Sequence, residues 1–252
     1  MAQVVPLRVN DSWVNLVGEL ANPRYVFITD KIAKNLVPNF SSININARDL
    51  VVEVKKGTLD NVKAFFKLRK KDFTKVEAFV FLWVGMDDLA LDDSSLPSPV
   101  SAAVAEYFHP DGPNIFPHLS VSEVVTKYHE LVVAMATLFP TASIFSSDPA
   151  PRRSTGFAIY RADKVMKGIE KQFDAHHHIA LNHKFHGRRR SNEVDNSGGR
   201  LPLFDHLFDD GVFPKVESWV LIFERVYAAI AILGKSASSQ QMGLLRDIKI
   251  MF

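Results

Sequence analysis

Short apolar segments alternate with segments of helical spacing along most of this chain, and this alternation most limits the folds it can adopt. The run EAFVFLWVG (77–85) is short and almost entirely apolar, which is typical of a parallel strand covered on both faces. Similar runs lie at 24–30, 49–57 and 141–147. We therefore predict βαβ units, a central, mostly parallel sheet and a three-layer α/β/α fold.

Three segments with helical spacing fit between and after these runs. TLDNVKAFFKLRKK has Thr58 or Asp60 as its N-cap, and VSEVVTKYHELVVAMATLF (121–139) follows later. WVLIFERVYAAIAILG (219–234) is the most apolar stretch, but it carries two charges in its middle and is shorter than a bilayer span. We expect it to be a core-packed helix, and we predict no membrane contact.

Length and composition favour one intracellular domain. The 252 residues suffice for a single α/β domain with a full core. We place that core at about 24–234, with insert-like loops at 90–118 and 176–202 and short N- and C-terminal extensions. Cysteine is absent, and no basic segment precedes a long apolar run at the start. These features favour a cytoplasmic or other intracellular setting, and the net charge of +2 favours no partner class.

Polar and glycine residues follow the predicted strands. Lys31 comes after the first strand, Gly57 ends the second, and Gly85 ends the third. The turn DDGVFP, 209–214, precedes the last helix. Sites in parallel sheets form at the carboxyl ends of the strands, so these residues are the candidates for a functional site.

Four segments, taken in order, resemble the sequence blocks of the SGNH (GDSL-type) hydrolase family. They are VFITDKIAKNL, VEVKKGTLDNV, FLWVGMDDL and FDDGVFP. That family has a Ser nucleophile after the first strand, Gly after the second, Gly-x-Asn-Asp after the third, and Asp-Gly-x-His-Pro before the last helix. The resemblance covers about residues 24–234 and implies an SGNH-type, flavodoxin-like fold. ASIFSSDPAPRR is also similar to SGNH domains of animal retroelement-derived proteins, which implies a viral or mobile-element origin.

The chain departs from the family pattern where the chemistry is done. The resemblance places Lys31 at the nucleophile, Asp87 at the oxyanion Asn and Phe213 at the base, while Gly57 and Asp210 keep the family's residue. Acyl transfer needs a hydroxyl, a base and oxyanion donors. Loss of one triad member costs about 10⁴- to 10⁶-fold in rate. We therefore predict a catalytically inactive scaffold kept for binding or structure. The alternative is an active hydrolase with a rearranged site.

The three replacements also fit one another. An ammonium at Lys31 needs a counterion, so we expect an ion pair with Asp87 or Asp210, and we expect Phe213 to cap the old pocket. Converging carboxylates could instead bind Mg²⁺. We favour no metal and no cofactor, because Lys31 neutralises the cluster and Asp30 and Asp88 are suited to backbone hydrogen bonds.

A basic segment, HHHIALNHKFHGRRR (176–190), is a second candidate site. Lys184, Arg188, Arg189 and Arg190 could bind nucleic acid or an acidic partner, although a solvated basic loop is the simpler explanation. Its histidines His178, His183 and His186 lack the carboxylate or the i,i+4 pair that would indicate a metal site. A protein partner at the insert-like loops is the other binding prediction, and the sequence leaves oligomerisation open.

Other nucleophiles are conceivable if the site has been rearranged. Ser146, Ser147 and Ser154 carry hydroxyls, but the sequence sets no histidine beside them. His206 lies four residues before Asp210 and fits a surface histidine better than a shifted base.

Overall fold

A computed structural model describes most of the predicted core of this protein. The residues it describes are 4–9, 12–55, 58–85, 88, 119, 121–147, 168, 177–181, 207–209 and 213–249. Several residues singled out above lie outside the described residues, and what was predicted for them stays a prediction. They are Gly57, Asp87, Ser154, Lys184, Arg188, Arg189, Arg190, His183, His186, His206 and Asp210, together with all of loop 90–118.

The described strands form one seven-stranded sheet and one two-stranded hairpin. They are β1 (Val4–Val9), β2 (Ser12–Gly18), β3 (Tyr25–Asp30), β4 (Leu50–Val54), β5 (Ala78–Phe81), β6 (Ser143–Ser147), β7 (His178–Ile179), β8 (Phe208–Asp209) and β9 (Phe213–Pro214). The order in the sheet is β1-β2-β4-β3-β5-β6-β7. The β1–β2 and β2–β4 pairs are antiparallel, and every pair from β4 to β7 is parallel.

The parallel part of the sheet has the flavodoxin-like strand order. Counted along the chain from β3, its five strands run second, first, third, fourth, fifth across the sheet, which is the doubly wound 2-1-3-4-5 arrangement. The order reverses between β3 and β5. Ligands in such sheets bind outside the carboxyl ends of the strands at this reversal, so the fold itself indicates where a site would lie.

Helices cover both faces of the sheet and complete the three layers. They are α1 (Leu59–Leu68), α2 (Val121–Leu138) and α3 (Val216–Lys249). On one face the Phe27 ring of β3 meets Phe223 of α3, with ring centroids 4.9 Å apart. On the other, Phe79 of β5 meets Phe66 of α1 at 5.4 Å. The predicted three-layer α/β fold class is confirmed.

The N-terminal residues belong to the sheet and are more than an extension. β1 and β2 form a hairpin whose second strand pairs with β4. Asn15 of β2 donates to the buried carboxylate of Glu53 in β4, with Nδ2 and Oε2 2.7 Å apart. A buried carboxylate is stable only when it is hydrogen-bonded or paired, so the hairpin satisfies a polar group of the central sheet.

Local structure follows the sequence signals closely in some elements and loosely in others. Thr58 caps α1 as predicted, because its side chain accepts a hydrogen bond from the backbone N–H of Asn61 at 3.2 Å. The segment after β3 forms a short 3-10 helix, Lys31–Asn35. β7 lies within the segment 176–202, which was predicted to be a loop. No helix among the described residues is both long and apolar enough to cross a bilayer.

Candidate functional site

The candidate site lies at the carboxyl ends of β3 and β5, where the strand order reverses. Asp30 is the last residue of β3 and is fully buried. Its carboxylate accepts a hydrogen bond from the backbone N–H of Ile32, 3.0 Å away, and so caps the 3-10 helix that begins at Lys31. This cap turns the chain sharply at the strand end and fixes the position of Lys31, which is half-buried.

The chain before α3 returns to this 3-10 helix, as the family resemblance implies. Asn35 Nδ2 donates to Asp209 Oδ2 at 2.7 Å and to the carbonyl oxygen of Pro214 at 3.0 Å. Lys34 Nζ lies 4.9 Å from the centroid of the Phe213 ring, within the range of a cation–π contact. The first and last of the four segments therefore meet, and Asn35 holds both sides of the β8–β9 hairpin.

The second and third segments meet in the same way. Asp88 is buried, and its Oδ2 accepts a hydrogen bond from the backbone N–H of Leu59, at the start of α1, at 2.6 Å. Gly85 has a φ of +87°, and a Cβ built on it would lie 3.0 Å from Leu59 Cδ2. The expectation that Asp30 and Asp88 serve backbone hydrogen bonds is confirmed, and the close approach at Gly85 explains why a glycine stands there.

Metal binding has little support in the described residues. In the part of the chain that the structure describes, no three His, Asp or Glu side chains are grouped as a metal ion would require. Two of the four carboxylates of the Mg²⁺ alternative, those of Asp30 and Asp88, accept backbone hydrogen bonds. The other two, Asp87 and Asp210, lie outside the described residues. The predicted ion pair of Lys31 with either of these also stays a prediction.

Trp83 is a residue of this region that the sequence did not single out. It is buried and has a φ of 58°, a left-handed backbone that bulky residues rarely adopt. Its backbone N–H donates to Ser147 Oγ at 3.1 Å, and its ring lies 5.6 Å from that of Trp219 in α3. Backbone strain of this kind is characteristic of functional sites, but no sequence pattern marks a left-handed tryptophan in an apolar run.

The structure also brings a histidine beside one of the alternative nucleophiles. Ser146 and His178 are in register on the parallel strands β6 and β7, and Ser146 Oγ lies 2.9 Å from His178 Nδ1. The expectation that no histidine accompanies Ser146 is wrong, because strand pairing joins residues that are far apart in sequence. Ser146 lies two strands from β3, about 10 Å across the sheet, and His178 lies one strand further. Ser146 is fully buried, and His178 is half-buried.

Comparison with known proteins finds similarity to solved structures. No family model and no curated protein matches the chain. A catalytic mutant of an acetylxylan esterase from Geobacillus stearothermophilus is 12% identical, with a TM-score of 0.49, over 84% of this chain and 95% of its own. A protein assigned as a GDSL-like lipase, from Parabacteroides merdae, is 8% identical with a TM-score of 0.46, over 84% and 99%. Both structures are similar to this chain over most of its length and most of their own.

Proposed function

We propose that this chain is a catalytically inactive protein of SGNH type whose scaffold serves a binding or structural role. The site lies where this class of sheet places one, and its turns are held by backbone N–H groups that donate hydrogen bonds to Asp30 and Asp88. These contacts support a retained site frame at the ends of β3 and β5. The side chains it presents cannot carry out acyl transfer by a serine mechanism.

The observation that carries this proposal is the identity of two residues that lie at the same 3-10 helix. Lys31 begins the 3-10 helix after β3, and Phe213 lies against the same helix, over Lys34. Neither side chain supplies a hydroxyl nucleophile or a proton acceptor. The family resemblance implies a catalytic histidine at position 213, and this chain has the apolar ring of Phe213 there.

Ester hydrolysis tests the proposal directly. We expect purified protein to leave p-nitrophenyl acetate at the buffer rate. We expect a Lys31→Ser, Asp87→Asn, Phe213→His triple variant to gain at least about tenfold, a small part of what an intact triad contributes. Adding Asp210→Asn to the triple variant should remove the gain. Turnover by the unmodified protein that Asp210→Asn abolishes would show that the proposal is wrong.

A hydrolase with a rearranged site is the second candidate, and the Ser146–His178 contact favours it. A serine that donates to a histidine nitrogen is the nucleophile–base pair of acyl transfer. Burial argues the other way, because Ser146 has no exposed surface through which a substrate could reach its hydroxyl. We therefore rank this function second.

Covalent labelling separates the two candidates. A fluorophosphonate probe reacts with activated serines, and we expect it to leave the native protein unlabelled. If the rearranged site is active, the probe labels Ser146, and both Ser146→Ala and His178→Gln abolish the labelling. Ser147→Ala is the matched control, because Ser147 is the neighbouring buried serine on β6. Labelling that survives Ser146→Ala would assign the activity to another residue.

We also propose an intracellular compartment and a viral or mobile-element origin for this protein. Absence of cysteine fits a reducing, intracellular compartment, and the similarity of ASIFSSDPAPRR to retroelement-derived SGNH domains supports a viral or mobile-element origin. We propose a protein partner that contacts the segments 90–118 and 176–202, which the sequence predicts to be insert-like, since insertions on a scaffold commonly carry binding residues.

A further inference from the structure

A group of lysines lies at the end of the molecule opposite the candidate site. Helix α1 starts beside Gly85 and Asp88 and runs back along the sheet, so its last turn lies at the amino ends of the parallel strands. Lys67, Lys70, Lys71 and Lys75 follow one another at this end and are all exposed. We call these four residues the lysine patch.

In the described part of the chain, no carboxylate pairs with the lysine patch to neutralise its charge. Arg69 and Asp72 pair with each other, and the next carboxylate along the chain, Glu77, pairs with Arg24 at 3.1 Å. None of the four lysines forms an ion pair with a carboxylate in the described part of the chain. By contrast, Lys63 and Lys127 on the same face of the molecule pair with Glu130 and Asp60.

The backbone under the lysine patch is held firmly by the core. Phe73, in the 3-10 helix Lys70–Phe73, is buried, and its ring packs 5.2 Å from that of Phe66 and 6.4 Å from that of Phe139. The four lysines lie in the last turn of α1, in this 3-10 helix and just after it. Four like charges are therefore held within one short stretch of chain on a fixed support.

We propose that the lysine patch binds the phosphate backbone of a nucleic acid without reading its sequence. Unpaired, clustered ammonium groups on one surface are the electrostatic signature of phosphate binding. The aromatic side chains nearby, Phe65, Phe66 and Phe73, are buried, so none is available to stack on bases. This surface is separate from the proposed function, since it would serve an active and an inactive site equally.

A membrane surface is the other polyanion to consider, and the side chains favour it less. Membrane-surface helices combine cations with a broad apolar face that enters the bilayer. At the lysine patch one large apolar side chain, Leu68, is well exposed, at 70%, while the aromatic residues point into the core. A phosphate backbone needs the charges alone.

The salt dependence of DNA binding measures how many lysines contact phosphate groups. For duplex DNA the logarithm of the binding constant falls with the logarithm of salt concentration at a slope of about −0.9 per phosphate neutralised, so four lysines predict about −3.6. We would measure the anisotropy of a short fluorescent DNA duplex with the full chain across a salt series. Changing all four lysines to Gln should remove about 3.6 from the slope and weaken binding at low salt at least about tenfold.

Matched variants make the result specific to this surface. Lys70→Gln with Lys71→Gln should lower the slope by about 1.8, while Lys63→Gln with Lys127→Gln, which removes two already paired charges, should leave it unchanged. Arginine at all four positions should preserve binding. Unchanged DNA binding in the four-Gln variant would overturn the proposal. The proposal is also wrong if DNA binding is abolished only in the triple variant Arg188→Gln, Arg189→Gln, Arg190→Gln. It is wrong in favour of a membrane if the protein binds phosphatidylserine vesicles but not DNA, and if Leu68→Ser abolishes the vesicle binding.

Discussion

Gly85 is the residue of the candidate site whose type the backbone itself restricts. Its φ of +87° lies in the left-handed half of the map, and any Cβ would crowd Leu59 at the start of α1. The sequence marks this glycine only as the end of an apolar run. It cannot show that the third and second segments approach so closely that a methyl group hardly fits.

Replacing Gly85 by Ala should therefore destabilise the protein. We expect a loss of about 1–3 kcal/mol in the free energy of unfolding, as for other residues held in unfavourable backbone conformations. Urea unfolding followed by tryptophan fluorescence measures it, and Gly243→Ala in α3 is the control. Alanine favours a helix over glycine, so the control should not lose stability. A Gly85→Ala protein as stable as the parent would show that the turn relaxes without cost.

At the scale of elements, the sequence predicts the centre of the sheet well and its margins poorly. β3, β4 and β6 lie within the apolar runs that predicted them, because strands covered on both faces are mostly apolar. The run 77–85 overstates β5, which ends at Phe81. The residues that follow stay buried but turn into the site through the left-handed Trp83. The run 77–85 therefore predicts correctly which residues are buried, but it does not predict where the backbone leaves the strand.

The sequence does not predict the outer strands β1, β2 and β7, and the physical reason differs between them. β1 and β2 lie at the edge of the sheet, where exposed and covered side chains alternate and a proline, Pro6, is tolerated. β7 has two residues, too few for any periodicity. Its pairing with β6 is what brings His178 to Ser146, so the candidate second site depends on a contact that local patterns do not encode.

At the scale of the whole molecule, a polar contact fastens α3 to the sheet on the side away from the candidate site. Tyr227 of α3 donates its hydroxyl proton to Asp49 Oδ2 at 2.6 Å and accepts a hydrogen bond from the backbone N–H of Asn46 at 2.9 Å. Asp49 is buried just before β4, and its other carboxylate oxygen accepts from the backbone N–H of Tyr25 at 3.2 Å. The contact joins residues 178 positions apart, and no sequence pattern predicts it.

This contact should give the stability of the protein a pH dependence. Burial raises the pKa of Asp49 above its ordinary value of 3.8, while the hydrogen bonds from Tyr227 and Tyr25 act against that rise. A carboxyl with a raised pKa in the folded state favours folding most below its unfolded pKa. That contribution is lost as the pH rises through the folded pKa. Removing the tyrosine hydroxyl takes away a donor to the ionised form, so Tyr227→Phe should raise the pKa of Asp49 further.

The cost of Tyr227→Phe should therefore depend on pH. Near neutral pH the variant leaves an ionised, buried carboxylate short of a donor, and we expect a loss of about 1–3 kcal/mol in the free energy of unfolding. Below the ordinary carboxyl pKa the group is protonated in both states, and the loss should shrink. Urea unfolding of both proteins at the two pH values measures this. With Asp49→Asn in both backgrounds the effect of Tyr227→Phe should no longer change with pH. An equal loss at both pH values with Asp49 present would instead mean that the hydroxyl acts only through Asn46 and packing.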